Sequence, residues 1–164
     1  MIKQRLQFLI WHCLATPKGF EVSSDEVRKW HLSKPPVGRG WAQVGYSDII
    51  HLDGRIENMV EYNEDDWVDP WEITNGALGM NYKSRHVAYV GGIDLASKPK
   101  DTTTPAQVRS MKWYVGDMIA KHPDIIIGGH NQFDNKACPS FNVPKWLRSF
   151  GIQEKNICQL KVNL

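Results

Sequence analysis

The sequence has no long hydrophobic run. The apolar stretch at residues 8–11 ends at His12, so it is too short for a signal-peptide core and far too short to cross a bilayer. We therefore expect a protein without a membrane span that is cytoplasmic as synthesised.

An excess of charge of one sign and a set of paired cysteines are also missing. Lys and Arg number 20 against 18 Asp and Glu, and the net charge of +2 is too small to indicate binding to nucleic acid or to an anionic membrane. Three cysteines do not describe a disulfide framework, so a reducing compartment with a functional thiol fits better. With 41% hydrophobic and 23% charged residues, the composition is that of a folded globular domain rather than a disordered or fibrous chain.

Strand and helix signals alternate along the chain. Capping boxes that start at Ser23 and Thr104 predict the beginnings of two helices, and Pro144 begins a third that ends near Phe150. Asp53-Gly54 predicts the turn of a β-hairpin. Further strands are predicted at residues 6–13, 86–91 and 124–129. We predict an α/β fold: a single domain over residues 1–164, with a central mixed β-sheet flanked by helices.

Three residues are candidate ligands for one metal ion. His12 lies at the end of the first predicted strand, His130 at the end of a late one, and Cys138 follows eight positions later. Two imidazoles and a thiolate suit Zn²⁺, and a catalytic zinc site keeps its fourth position for water. The alternative is two hydrogen-bonded histidines and a buried free thiol.

The residues around these candidates resemble the zinc-dependent N-acetylmuramoyl-L-alanine amidases, above all the short phage lysozymes of that type, which are related to peptidoglycan recognition proteins. The likeness spans about residues 6–150, and its blocks keep the family's order. The blocks are residues 8–16 (FLIWHCLAT), 26–31 (EVRKWH), 40–50 (GWAQVGYSDII), 53–57 (DGRIE), 90–94 (VGGID), 104–107 (TPAQ) and 129–143 (GHNQFDNKACPSFNV).

The resemblance implies a role for five residues. It makes His12, His130 and Cys138 the zinc ligands, with Tyr46 and Lys136 as catalytic helpers. Bound zinc lowers the pKa of water toward ~7 and polarises a carbonyl. Lys136 then stabilises the oxyanion, while Tyr46 holds the water or passes a proton to the leaving amine, and the division of these roles stays open. Without the resemblance, we would interpret Tyr46 as a tyrosine at the edge of the core and Lys136 as a solvated lysine.

The function implied is hydrolysis of the amide bond between N-acetylmuramic acid and L-alanine in bacterial peptidoglycan. We expect a monomer that contacts the muramyl peptide and no nucleic acid, and that reaches the wall through a holin or dedicated export. One alternative is a non-catalytic peptidoglycan-binding module, but such members typically lose the cysteine ligand and Cys138 is present. Another is an amidase that also binds RNA polymerase.

The chain departs from the family pattern at one place. Gly76 stands where a cleft-lining histidine is expected, and Arg85-His86 replace an Ile-Gly pair. We hypothesise that Arg85 or His86 compensates. Trp67 and Trp71 lie in a long irregular stretch at residues 58–84 and either pack or add a wall to the groove.

The remaining histidines and Cys13 are assigned structural positions. We expect His31 and His122 at helix ends, His51 on an exposed strand face, and Cys13 as a buried thiol on the strand face opposite His12.

Overall fold

The computed structural model describes residues 2–164, and within this range the chain forms a mixed sheet with helices on both faces. The strands are β1 (Gln4–Arg5), β2 (Phe8–Cys13), β3 (Thr16–Pro17), β4 (Asp48–Ile50), β5 (Ile56–Asn58), β6 (Trp67–Val68), β7 (Ser84–Tyr89), β8 (Gly92–Ile93) and β9 (Ile126–Gly129). The helices are α1 (Ser24–Leu32), α2 (Pro105–Lys121) and α3 (Val143–Ser149), with 3-10 turns at Asn81–Lys83, His130–Gln132 and Glu154–Asn156.

The central sheet has five strands in the order β5-β4-β7-β2-β9. Strands β4, β7, β2 and β9 are parallel, and β5 pairs antiparallel with β4 through the predicted hairpin. The predicted α/β class with a mixed sheet is confirmed. Because β2 lies between β7 and β9 and is parallel to both, the carboxyl ends of the three strands meet at one edge of the sheet, where open α/β sheets bind ligands.

The pleat of β2 separates the core from the site. Leu9, Trp11 and Cys13 pack into the larger hydrophobic cluster with α2 and α3, as predicted for Cys13. Side chains alternate along a strand, so His12 points to the opposite face, on the side of α1. A second cluster there includes Val27 of α1 and Ile49 of β4.

Helix α2 begins as its sequence predicts. The Thr104 hydroxyl accepts the backbone N–H of Gln107, and the Gln107 side chain accepts the N–H of Thr104. The same hydroxyl donates to the carbonyl of Leu52 at 2.7 Å, which ties the helix to the hairpin. His122 caps the other end of α2, as expected.

The predicted position of His51 is wrong. Its side chain is buried, with Nδ1 2.9 Å from Glu21 and Nε2 2.8 Å from Glu57. Two carboxylates satisfy both ring nitrogens, so the imidazole can leave water. The irregular stretch at residues 58–84 also contains the short strand β6, which pairs with β1. Among the helices of residues 2–164, none is long and apolar enough to cross a membrane.

Candidate active site

The three candidate ligands lie together at the carboxyl edge of the sheet. His12 comes from β2, His130 directly follows β9, and Cys138 ends a loop that returns to the same place. One potential ligand atom of each residue lies within 4.8 Å of the other two. The backbone N–H of Asn131 donates to the Cys138 carbonyl at 2.6 Å and closes the loop.

The donor set fits a zinc ion. His12 turns Nδ1 toward the sulfur of Cys138, 3.7 Å away, and the same sulfur accepts the backbone N–H of Cys13 at 3.3 Å. An N–H aimed at sulfur stabilises a thiolate, the form of cysteine that binds metal. Two imidazoles and one thiolate, with an open cleft beside them, match a catalytic zinc site.

Burial keeps the imidazoles neutral, which is the form that binds metal. Desolvation lowers the pKa of His12 well below its ordinary value. Burial, helped by the Lys136 cation, lowers the pKa of His130 to about 4. Contact with the Cys13 side chain, together with burial, raises the pKa of the Cys138 thiol. A cation bound here would release the thiol proton, since metal coordination deprotonates a cysteine outright.

Tyr46 and Lys136 both line the cleft beside the three candidate ligands. The Tyr46 ring is half-buried, 5.2 Å between centroids from His12, and burial raises the pKa of its phenol. Lys136 is exposed and pairs with Asp134 at 3.0 Å. Tyr46 is therefore a neutral O–H group, and Lys136 is an exposed cation paired with Asp134 in the cleft lining.

The cleft has a volume of about 600 Å³. Trp30, Trp41 and the exposed Leu78 form apolar parts of its lining. Arg39 lies over the ring of Trp41, 5.1 Å from its centroid. A groove of this size, with aromatic walls and a few polar groups, is typical of a ligand site.

Trp67 and Trp71 do not line this cleft. Trp67 belongs to β6, and Trp71 lies beside Tyr62 at a separate depression. The idea of an extra wall is therefore wrong: the pairing of β6 with β1 takes this segment away from the site.

Sequence reasoning placed three further residues incompletely. His31, expected only at a helix end, lines the cleft, and its Nδ1 accepts the Gly45 N–H at 3.2 Å. Asp134 was missed, although its position two residues before Lys136 could have signalled an ion pair. His86 was named only as a possible compensation, and its ring is 5.1 Å from that of His12.

The fold and site define a class: an α/β protein with a cleft that ends on a candidate His-His-Cys metal centre. The family profile described as N-acetylmuramoyl-L-alanine amidase matches residues 3–141. The endolysin of Escherichia phage T7 is 34% identical over 135 residues, covering 82% of this chain and 81% of that one. The endolysin of Enterobacteria phage K11 is 31% identical over 143 residues, covering 87% and 85%.

A solved structure agrees with this assignment at the level of the fold. Bumblebee PGRP-SA superposes with a TM-score of 0.69 at 16% identity, covering 96% of this chain and 86% of that one. The chain belongs to the N-acetylmuramoyl-L-alanine amidase family. The resemblance seen in the sequence and the predicted amidase function in peptidoglycan lysis are confirmed.

Proposed function

We propose that this amidase cuts the bond between the lactyl group of N-acetylmuramic acid and L-alanine with a zinc ion held by His12, His130 and Cys138. The observation that carries the proposal is the convergence of these three donors, within 4.8 Å of one another, at the end of an open cleft. Family membership and relatives named endolysins support the bacterial cell wall as the place of action.

The protein's own residues divide the work by their chemistry. A zinc ion held by His12, His130 and Cys138 would supply a nucleophilic water and polarise the scissile carbonyl. Lys136 brings positive charge to the oxygen on which negative charge develops, and Asp134 holds the ammonium near the entrance. Tyr46 keeps its proton at neutral pH, so it acts as a hydrogen-bond donor to the attacked carbonyl or to the leaving amine.

The cleft supports a muramyl peptide as substrate. A glycan strand with a peptide branch presents apolar sugar faces and several polar groups. Trp30 offers a partly exposed aromatic surface for the former, while Arg39 and Asn75 offer hydrogen-bond donors for the latter. The intact His-His-Cys set favours catalysis over mere binding.

The test compares half-buried Cys138 with buried Cys158. Cys138→Ser should lose bound zinc and lower the release of dye-labelled peptidoglycan fragments at least 100-fold, because the thiolate ligand is gone. Cys158→Ser, outside the cluster, is the matched control and should keep both properties. Zinc content is measured by elemental analysis after dialysis. Full activity of Cys138→Ser would overturn the proposed metal site.

A further inference from the structure

His86 reaches the candidate metal centre from the neighbouring strand. It lies on β7, is fully buried, and its Nδ1 is 3.0 Å from Nε2 of His12. The other nitrogen of His12, Nδ1, is the one turned toward Cys138. His12 is thus held between a candidate co-ligand on one side of its ring and a second imidazole on the other.

The space that His86 fills is the space beside Gly76. A methyl group at residue 76 would overlap Cγ and Nδ1 of His86 and would also lie 2.9 Å from the carbonyl oxygen of Gly45. The resemblance leads us to expect histidine at residue 76 and glycine at residue 86, and this chain has the two reversed. The two departures are coupled in space, because the His86 ring on β7 occupies the volume that a side chain at residue 76 would need.

The hydrogen bond and the proposed metal site together require one tautomer of His12. A neutral imidazole carries one proton, so a ring that binds metal through Nδ1 must hold its proton on Nε2. Ligating histidines almost always donate that proton to an acceptor, which sets both the tautomer and the orientation of the ring. Within residues 2–164, His86 Nδ1 is the hydrogen-bond partner of His12 Nε2, and it must be the acceptor when His12 uses Nδ1 for a metal.

The contact between His86 and His12 leaves a buried polar atom of His86 without a partner, which indicates that the contact serves the site. With its Nδ1 accepting from His12, His86 must carry its own proton on Nε2. That atom is buried and has no hydrogen-bond partner among the described residues. A buried polar atom without a partner is destabilising, and each such atom in a native protein calls for an explanation. A leucine would fill the space without that cost, but it could not accept a hydrogen bond from His12.

We propose that His86 is a positioning residue for the metal ligand His12, and that it works only with glycine at residue 76. The inference rests on the proposed zinc site. By accepting a hydrogen bond at Nδ1, His86 holds His12 in the tautomer that leaves Nδ1 of His12 available to the ion. His86 itself touches neither the ion nor the substrate.

Two isosteric variants test the acceptor. In His86→Asn, the side-chain oxygen can take the place of Nδ1, whereas His86→Leu has a similar shape and no acceptor. Nitrogen-15 NMR of the metal-free proteins reads the tautomer of His12, and competition with a chromogenic chelator gives the zinc affinity. We expect wild type and His86→Asn to hold the proton on Nε2 of His12. His86→Leu should populate both tautomers and bind zinc about 10- to 100-fold more weakly.

The outcomes separate this inference from the proposed function. If wild type binds zinc and His86→Leu matches it in both affinity and tautomer, the positioning role is wrong while the metal site stands. If wild type does not bind zinc, the proposed function fails. The tautomer in the metal-free protein still decides whether His86 orients His12.

A pair of thermal-unfolding measurements tests whether residues 76 and 86 are coupled. Gly76→Ala should lower the unfolding midpoint markedly in wild type, because the methyl group meets the His86 ring. In a His86→Gly background the same substitution should lower it less, since the two nearest of the atoms that the methyl group meets, Cγ and Nδ1 of His86, are gone. Equal losses in the two backgrounds would show that the positions are not coupled.

Discussion

At the scale of single residues, the cleft is built around neutral imidazoles. Burial lowers the pKa of His31 and His130 to about 4 and that of His86 to about 3. A histidine that stays neutral in the folded protein can accept a hydrogen bond or bind a metal at neutral pH. The free energy of unfolding therefore falls in acid, because these histidines bind protons in the unfolded chain at pH values where they stay neutral in the folded chain.

His31 provides a pH prediction away from the metal ligands. Its pKa falls from an ordinary 6.5 to about 4, so the unfolded state binds the extra proton between these values and stability drops as the pH falls through that window. His31→Asn keeps an acceptor for the Gly45 N–H but does not titrate there. Between pH 6 and 4.5, wild type should lose up to about 1.4 kcal/mol more per pH unit than the variant in urea unfolding. Identical pH slopes would contradict the assignment.

Lys136 provides a catalytic prediction. Lys136→Met keeps the length of the side chain and removes the charge, so kcat should fall roughly 100-fold or more, while zinc content and KM change little. Asp134→Asn, which weakens the ion pair with Lys136 and removes a carboxylate charge 3.8 Å from Nε2 of His130, should cost less. Steady-state kinetics on a soluble muramyl peptide give the values. A pure KM effect of Lys136→Met would mean that the lysine binds the substrate and does not stabilise charge in the transition state.

At this scale, the sequence predicted residues that lie in recognisable blocks and missed contacts between segments that are far apart in the chain. His12, His130 and Cys138 sit in recognisable blocks, and the structure brings them together. His51 was misplaced because one of its two carboxylate partners, Glu21, comes from a segment 30 residues earlier whose approach no local pattern reveals, although the other, Glu57, lies in the predicted hairpin. The contact between His86 and His12 is hidden for the same reason: it joins residues 74 positions apart.

At the scale of elements, the helix starts were predictable and the short strands were not. Both capping boxes form as the sequence predicts, since the bonds of a capping box join residues only three apart. Strands β1, β3, β6 and β8 have two residues each, too few to show any periodicity, and exist because a distant partner pairs with them.

Thr104 offers a test of how α2 is joined to the sheet. Thr104→Ala removes the cap of Gln107 and the bond to the Leu52 carbonyl, and should cost about 1–2 kcal/mol in urea unfolding. Thr104→Ser keeps the hydroxyl and should lose much less. If the alanine and serine variants were equally stable, the hydroxyl would have no part in anchoring the helix.

At the scale of the whole molecule, one sheet edge gathers a site from distant parts of the chain. Strand β2 contributes His12, the segment after β9 contributes His130 and Cys138, and β7 contributes His86. The segment that includes Trp30, Arg39 and Trp41 then covers one side of the cleft. The order of the blocks predicted this fold class, whereas the shape of the cleft depends on loops whose path the sequence does not reveal.

The most direct test of the account is to identify the bond that the protein cuts. Purified peptidoglycan is digested with and without a chelator, and mass spectrometry reads the soluble products. We predict free stem peptides that begin at L-alanine, beside glycan strands that keep their lactyl groups, with cleavage lost on chelation and restored by zinc. Products cut within the glycan or the peptide, or cleavage that persists after complete removal of metal, would contradict the account.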